Sequence, residues 1–183
     1  CGDGVSTVLF PAATEFWGVE MMAAAAEQAG TVMHRVLVGT FEAVRSELPL
    51  GYFDLVVCHD VIEHMADPDA FLRSLRPHLT PGAYLMSSIP NMRHWEVLVM
   101  LLFACDWRYM RDGIMDRTHL RFFTGRSIRR LFEENGFIVL RHAGINGVFQ
   151  PGRRLLLRAV ALLTLGAYAD IQYRQFGTLA QLT

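Results

Sequence analysis

The sequence predicts an α/β fold built on a doubly wound, mostly parallel sheet, and three observations carry that prediction. Strand-like and helix-like segments alternate along the chain, the order that gives parallel strands joined by crossover helices. Residues 53–58 (FDLVVC) and 83–89 (AYLMSSI) are short apolar runs of the kind that strands buried on both faces require. Gly2-Asp3-Gly4 stands directly before a helix-forming segment, and Glu20 closes the strand that follows.

The elements follow in order. Residues 5–13 form a short helix after the glycine turn, and residues 15–20 (EFWGVE) a strand ending in a carboxylate. Residues 21–29 (MMAAAAEQA) are strong helix formers stopped by Gly30, a natural C-terminal cap. Residues 32–38 make the next strand, closed by Gly39, and residues 53–58 the one after it. Asp67 caps a helix with Pro68 in its first position, and Phe71, Leu72, Leu75 and Leu79 supply its apolar stripe. Pro81-Gly82 is a turn before the strand at 83–89. Thr124 caps a helix with Ile128, Leu131 and Phe132 inward, ended by Gly136, and residues 137–142 and 175–182 close the sheet as a strand pair. Residues 91–119 and 147–173 are two insertions in a single domain spanning 1–183. The first follows a strand's carboxyl end, where open α/β sheets bind ligands, and is placed to serve as a lid.

Hydrophobic residues make up 52% of the 183 residues and charged ones 19%, so a packed core is expected rather than disorder. The net charge of −1, with no lysine, argues against a nucleic-acid partner held through phosphates. Cys1, Cys58 and Cys105 are odd in number and widely spaced, which fits the reducing cytoplasm better than a disulfide framework. Residues 95–105 and 155–169 are too short to span a bilayer, and Arg158 interrupts the second, so no transmembrane span is expected. The second is read as a core-facing helix with a basic rim; the alternative is a surface-lying amphipathic helix near Arg153, Arg154 and Arg158.

The glycine turn alone is a weak signal, because Thr7 stands where a dinucleotide fingerprint has its third glycine. Glu20 strengthens it, being correctly distant to accept hydrogen bonds from ribose hydroxyls. A tight loop beside a surface carboxylate is the plainer alternative. Taken together, Cys1-Gly2-Asp3-Gly4, Glu20, residues 53–58, Asp60-Val61-Ile62-Glu63-His64, residues 79–83 (LTPGA) and residues 116–124 (DRTHLRFFT) resemble class I S-adenosylmethionine-dependent methyltransferases. The run 116–124 is similar to the subfamily that includes ubiquinone-pathway O-methyltransferases and many bacterial sugar and natural-product methyltransferases. The class resemblance covers nearly the whole chain. The resemblance implies a Rossmann-like fold whose first strand would precede Cys1, so that a longer gene product is expected. It implies S-adenosylmethionine as cofactor, with Gly2, Asp3, Gly4, Glu20, Thr40, Phe41 and His59 as its binding residues. Thr40 would offer a hydrogen bond near the adenine and Phe41 a ring against it.

Methyl transfer from a sulfonium needs alignment and removal of the acceptor's proton. His59, Asp60, Glu63, His64, His94 and His119 are the candidates for handling that proton, and Asp60, His64 and His119 are assigned as catalytic. If the chain turns helical after Cys58, Asp60, Glu63 and His64 fall on one side at i, i+3 and i+4. The resemblance implies that these three and His119 hold a divalent metal such as Mg²⁺ beside the acceptor oxygen. In relatives without a metal the Glu-His pair orders the loop. Trp95, Trp107, Tyr109 and Met110 are candidates to line the acceptor pocket, and Arg108, Arg111 and Arg117 to meet an anionic group on it. The expected acceptor is a small molecule, a sugar hydroxyl or a phenol. A non-catalytic cofactor-binding relative is one rival; a nicotinamide-dependent oxidoreductase is another, and Thr7 and the Glu-His pattern speak against it.

Overall fold

Among the described residues six strands form in the predicted order, two pairing in one sheet and four in another. The computed structural model describes residues 1–12 and 15–183, which divide into two units, Cys1–Leu50 and Gly51–Thr183.

In the first unit, β1 (Trp17–Glu20) and β2 (Arg35–Val38) pair in parallel, with Glu20 opposite Val38. The crossover is α1 (Ala23–Ala29), shorter than residues 21–29 because Met22 takes the N-cap position. Both Met21 and Met22 are exposed, and the thioether of Met22 is a poor cap. Glu20 instead accepts the Met22 N–H at 3.0 Å. The strand predicted from residue 32 begins only at Arg35, because the Val32 and Met33 N–H groups turn back to the Ala29 carbonyl. α2 (Phe41–Val44) is a single turn. The helix expected over 5–13 is a 3₁₀ turn at Val5–Leu9, and Ala13 lies outside the described residues.

The second unit is a four-stranded sheet of β3 (Phe53–His59), β4 (Leu79–Pro90), β5 (Phe137–Gly147) and β6 (Tyr173–Leu182), in the order β3-β4-β6-β5. β3 and β4 are parallel, and β6 runs antiparallel to both β4 and β5. Three of the four strands therefore point the same way, as the sequence predicts, and β6 is the reversed one. β3 lies at the sheet edge, so only Cys58 of its residues is fully buried, against the expectation of burial on both faces. The Pro81-Gly82 turn is a bulge inside β4: Phe53 pairs with Leu79 while Leu55 pairs with Tyr84, and the extra residues bend the strand.

α3 (Pro68–Leu75) begins as predicted, with Asp67 accepting the Ala70 N–H at 2.9 Å and Pro68 in the first turn. It buries Phe71, Leu72 and Leu75, but Leu79 belongs to β4 because the helix has already ended. α5 (Gly125–Glu134) opens on a reciprocal Thr124–Ser127 capping box and buries Ile128, Leu131 and Phe132. Phe132 meets Phe137 of β5 edge to face at 6.3 Å, fastening the helix to the sheet. Each such side chain, fully withdrawn from water, contributes about 1.5–3 kcal/mol. The insertions carry α4 (Trp95–Leu102) and α6 (Pro151–Leu163).

Candidate active site

β3 delivers its chemistry just past its carboxyl end. The chain does not become helical after Cys58; β3 runs on to His59, and Asp60 follows in a left-handed conformation with φ 50°. A 3₁₀ turn at Ile62–His64 then aims Glu63 inward and His64 outward. Asp60 has hydrogen-bond partners of its own. Its Oδ1 accepts from Gln175 Nε2 at 2.5 Å and from Ser88 Oγ at 3.4 Å, and it is exposed. Asp60 is thus no member of the close ligand set; that set is Glu63, His64 and His119, whose donor atoms lie within 4.8 Å of one another.

His119 reaches the trio from the return of residues 91–119. The backbone N–H groups of Leu120 and Arg121 both donate to the Glu63 carbonyl, at 2.8 and 3.0 Å, and Arg121 donates to the Ala66 carbonyl. The Nδ1 atoms of His64 and His119 face the carbonyl oxygens of Thr118 (3.1 Å) and Ile114 (3.0 Å). A carbonyl only accepts, so each Nδ1 carries a proton, and Nε2 is the nitrogen that can offer a lone pair. The rings meet edge-on at 4.8 Å. Asp116 receives the Thr118 hydroxyl and N–H, which hold its carboxyl below the usual range and tie the loop that presents His119.

Glu63 is the unusual member. It is 1% exposed, and neither carboxylate oxygen has a hydrogen-bond partner. His119 Nε2 stands 4.0 Å away, beyond hydrogen-bond reach. Burial, reinforced by the nearby Asp60 charge, raises its pKa to about 8. A carboxylate held this way is suited to gain a cation or exchange a proton near neutrality. Neighbouring ligands around one ion at about 2.0–2.2 Å lie about 3–3.6 Å apart, so the trio, its donors spread over as much as 4.8 Å, would close by about an ångström on binding one. Its chemistry therefore fits a divalent ion, with the two Nδ1–H groups anchored as metal-bound imidazoles require.

In the first unit, the Gly2 N–H donates to Glu20 Oε2 at 2.7 Å, the Cys1 nitrogen to the same oxygen at 3.0 Å, and the Met22 N–H to Oε1. Burial works against ionisation here, but these hydrogen bonds outweigh it and hold the carboxyl at about 2. Gly4 has φ 81°, and a Cβ there would lie 2.7 Å from Val32 Cγ2, so the turn requires glycine. Gly2 (φ 60°) faces open space. Asp3 accepts the Val5 N–H at 3.1 Å and shapes the loop. Thr40 caps α2 through the Ala43 N–H, and Phe41 is buried, 8% exposed. Its ring is a core side chain of this unit instead of an open platform.

A family profile described as a methyltransferase domain matches residues 1–142, across both units. The chain belongs to the class I S-adenosylmethionine-dependent methyltransferases. A ubiquinone biosynthesis O-methyltransferase from Nitrobacter winogradskyi is 30% identical over 103 residues, 54% of this chain and 37% of that protein. One from Aeromonas salmonicida is 28% identical over 109 residues, covering 58% of this chain and 44% of its own length. The chain thus spans about two fifths of the curated relatives it matches. A solved S-adenosylmethionine-dependent methyltransferase from Archaeoglobus fulgidus shares the fold, with a TM-score of 0.67 at 16% identity over 99% of this chain and 82% of that one.

The methyltransferase loop fits the cofactor its family uses. Glu20 is ionised, and three of its roughly four lone-pair positions are filled, leaving acceptor capacity for a ribose hydroxyl. Gly2 presents bare backbone. His59 is exposed at the end of β3. His94, another candidate, is buried at the start of α4, outside the Glu63 group, and burial lowers its pKa to about 4. Trp107 packs edge-on against Phe122 at 5.3 Å, with Tyr109 at 6.4 Å from each, and all of residues 101–113 are exposed. The residue that sequence reasoning missed is Gln175. It lies 115 positions from Asp60, and only the β6 register, opposite Pro90 and Ile145, brings it there. Asn146 Nδ2 donates in turn to Gln175 Oε1 at 2.5 Å. Two open surface hollows of about 360 Å³ each lie by Glu133–Val139 and Arg73–Pro77, lined by none of these site residues.

Proposed function

We propose that this chain methylates an oxygen of a small-molecule acceptor, a phenol or a sugar hydroxyl. The observation that carries this reading is the buried, unpartnered Glu63 carboxylate beside His64 and His119 at the end of β3. The names of the Nitrobacter and Aeromonas relatives support oxygen as the acceptor atom. Bound S-adenosylmethionine supplies an electrophilic methyl group with a good leaving group. Gly2, Gly4 and Glu20 hold it, while the trio serves the acceptor. A divalent cation on Glu63, His64 and His119 would supply Lewis-acid stabilisation as the acceptor oxygen loses its proton. Asp60, fixed by Gln175 and Ser88, stands exposed beside them as an acceptor contact.

A second reading has support of its own. Glu63 near pKa 8 and the free Nε2 of His119 suit general acid–base work without any metal. Methylation assays on a panel of phenols and sugars, in chelator and after add-back of Mg²⁺, Mn²⁺, Fe²⁺ or Zn²⁺, separate the two. The metal reading expects loss in chelator and recovery on add-back, with His64→Ala and His119→Ala both lowering the rate at least about 100-fold. Full activity in chelator with His119→Ala still impaired leaves the acid–base reading. Full activity of both histidine variants eliminates the trio altogether.

A further inference from the structure

α6 presents the wrong face to water. Of its residues only Leu157 is buried, with Val160 and Ala161 partly so. At 100° per residue, Leu155, Leu156, Ala159, Leu162 and Leu163 share one outward sector about 120° wide. All five are exposed, the leucines by 63–83%. Phe149 before the helix and Leu165 after it are 91% and 98% exposed. A helix on a protein surface ordinarily turns such a stripe inward. Here the expected core-facing arrangement is reversed, because the opposite face is already engaged: Arg153 lies 4.3 Å over the Trp95 ring of α4.

The charges around the stripe decide what covers it. Residues 147–169 hold three arginines (153, 154 and 158) and no acidic residue, a local charge of +3 in a chain of net −1. Arg154 and Arg158 flank the stripe on one side, while Arg153 is held against Trp95. The stripe offers no hydrogen-bonding group, so its occupant must present hydrocarbon bordered by negative charge. A second copy of this chain would set arginine against arginine in a two-fold contact. Among the described residues no helix is long and apolar enough to cross a membrane, so α6 would lie in the interface plane. We propose that α6 is a docking surface for anionic bilayers, with its outward leucines among the acyl chains and Arg154 and Arg158 at the phosphates. The docking segment is fastened to the catalytic end of the sheet. Asn91, fully buried after β4, donates to the Asp170 and Tyr173 carbonyls at 3.0 Å, and Arg93 pairs with Asp170 at 3.0 Å.

Vesicle flotation tests this without reference to methyl transfer, because aggregated protein stays at the bottom of the gradient. The whole chain is expected to float with phosphatidylcholine vesicles containing phosphatidylglycerol, and much less with phosphatidylcholine alone or at high salt. Leu155→Ser with Leu162→Ser should cut partitioning about 100-fold. Arg154→Gln with Arg158→Gln should cut it about 30-fold and abolish the lipid preference. These side chains are exposed, so thermal melting should be unchanged in both variants. The proposal fails if the wild-type chain does not float with anionic vesicles, or if the leucine variant floats equally well. It fails also if sedimentation equilibrium shows a dimer lost in the leucine variant while vesicles are ignored, which would make α6 a self-association face.

Discussion

Replacing His94 with leucine should remove a specific part of the protein's sensitivity to acid. His94 is 1% exposed, and neither ring nitrogen has a hydrogen-bond partner. Burial, with the positive charge of Arg174 adding to it, lowers its pKa from 6.5 to about 4. Glu96 Oε2 lies 3.6 Å from Nδ1, but a ring held neutral makes no ion pair, and the burial governs. The folded state therefore resists a proton that the unfolded chain accepts. Stability is fully present above about pH 6.5 and is lost as pH falls toward about 4. At about 1.36 kcal/mol for each tenfold step, the separation of the two pKa values corresponds to roughly 3 kcal/mol, most of it lost by about pH 4.5. His142, also lowered to about 4 by burial, contributes equally to wild type and variant and cancels in the comparison. Leucine is similar in volume and leaves no polar atom unsatisfied, so near pH 7 its effect should stay within about 1.5 kcal/mol. Urea unfolding followed by circular dichroism at a series of pH values measures the difference directly. If wild type and His94→Leu lose stability in parallel from about pH 7 to about pH 4.5, His94 is not the neutral buried ring described here, and the reasoning is wrong.

Glu20→Ala removes the acceptor of the Gly2 and Met22 N–H groups and should weaken S-adenosylmethionine binding by about 1–3 kcal/mol in isothermal titration. Tight binding of a nicotinamide dinucleotide with no heat from the methyl donor would instead revive the oxidoreductase alternative. The exposed stretch at 101–113 should exchange its amide hydrogens rapidly in the free protein and slowly once cofactor product and acceptor are both bound. Core-like protection in every state would make it fixed scaffold and end its reading as a lid.

What the sequence disclosed and what it hid divide along sequence distance. The Asp67-Pro68 start of α3 and the Thr124 cap of α5 are local chemistry, written within four residues, and both form as expected. The Glu63-His64 pair was legible for the same reason, and His119 through its motif. The surroundings of Asp60 were not. A helical spacing argument needs helical backbone, and a residue at φ 50° between a strand and a 3₁₀ turn breaks the count. Its real partner, Gln175, is set by the register of β6 between β4 and β5, which no periodicity in either segment encodes. α6 failed differently. Residues 155–163 are apolar at nearly every angle around the helix, so periodicity marks no single inward face. In the fold Leu157 faces inward, on the side where Arg153 lies over Trp95, and the other four leucines face out. Where a helix is apolar all round, its surroundings decide which face is core. The face left over is then free to meet a partner of matching chemistry, and on α6 the arginines indicate which chemistry that is.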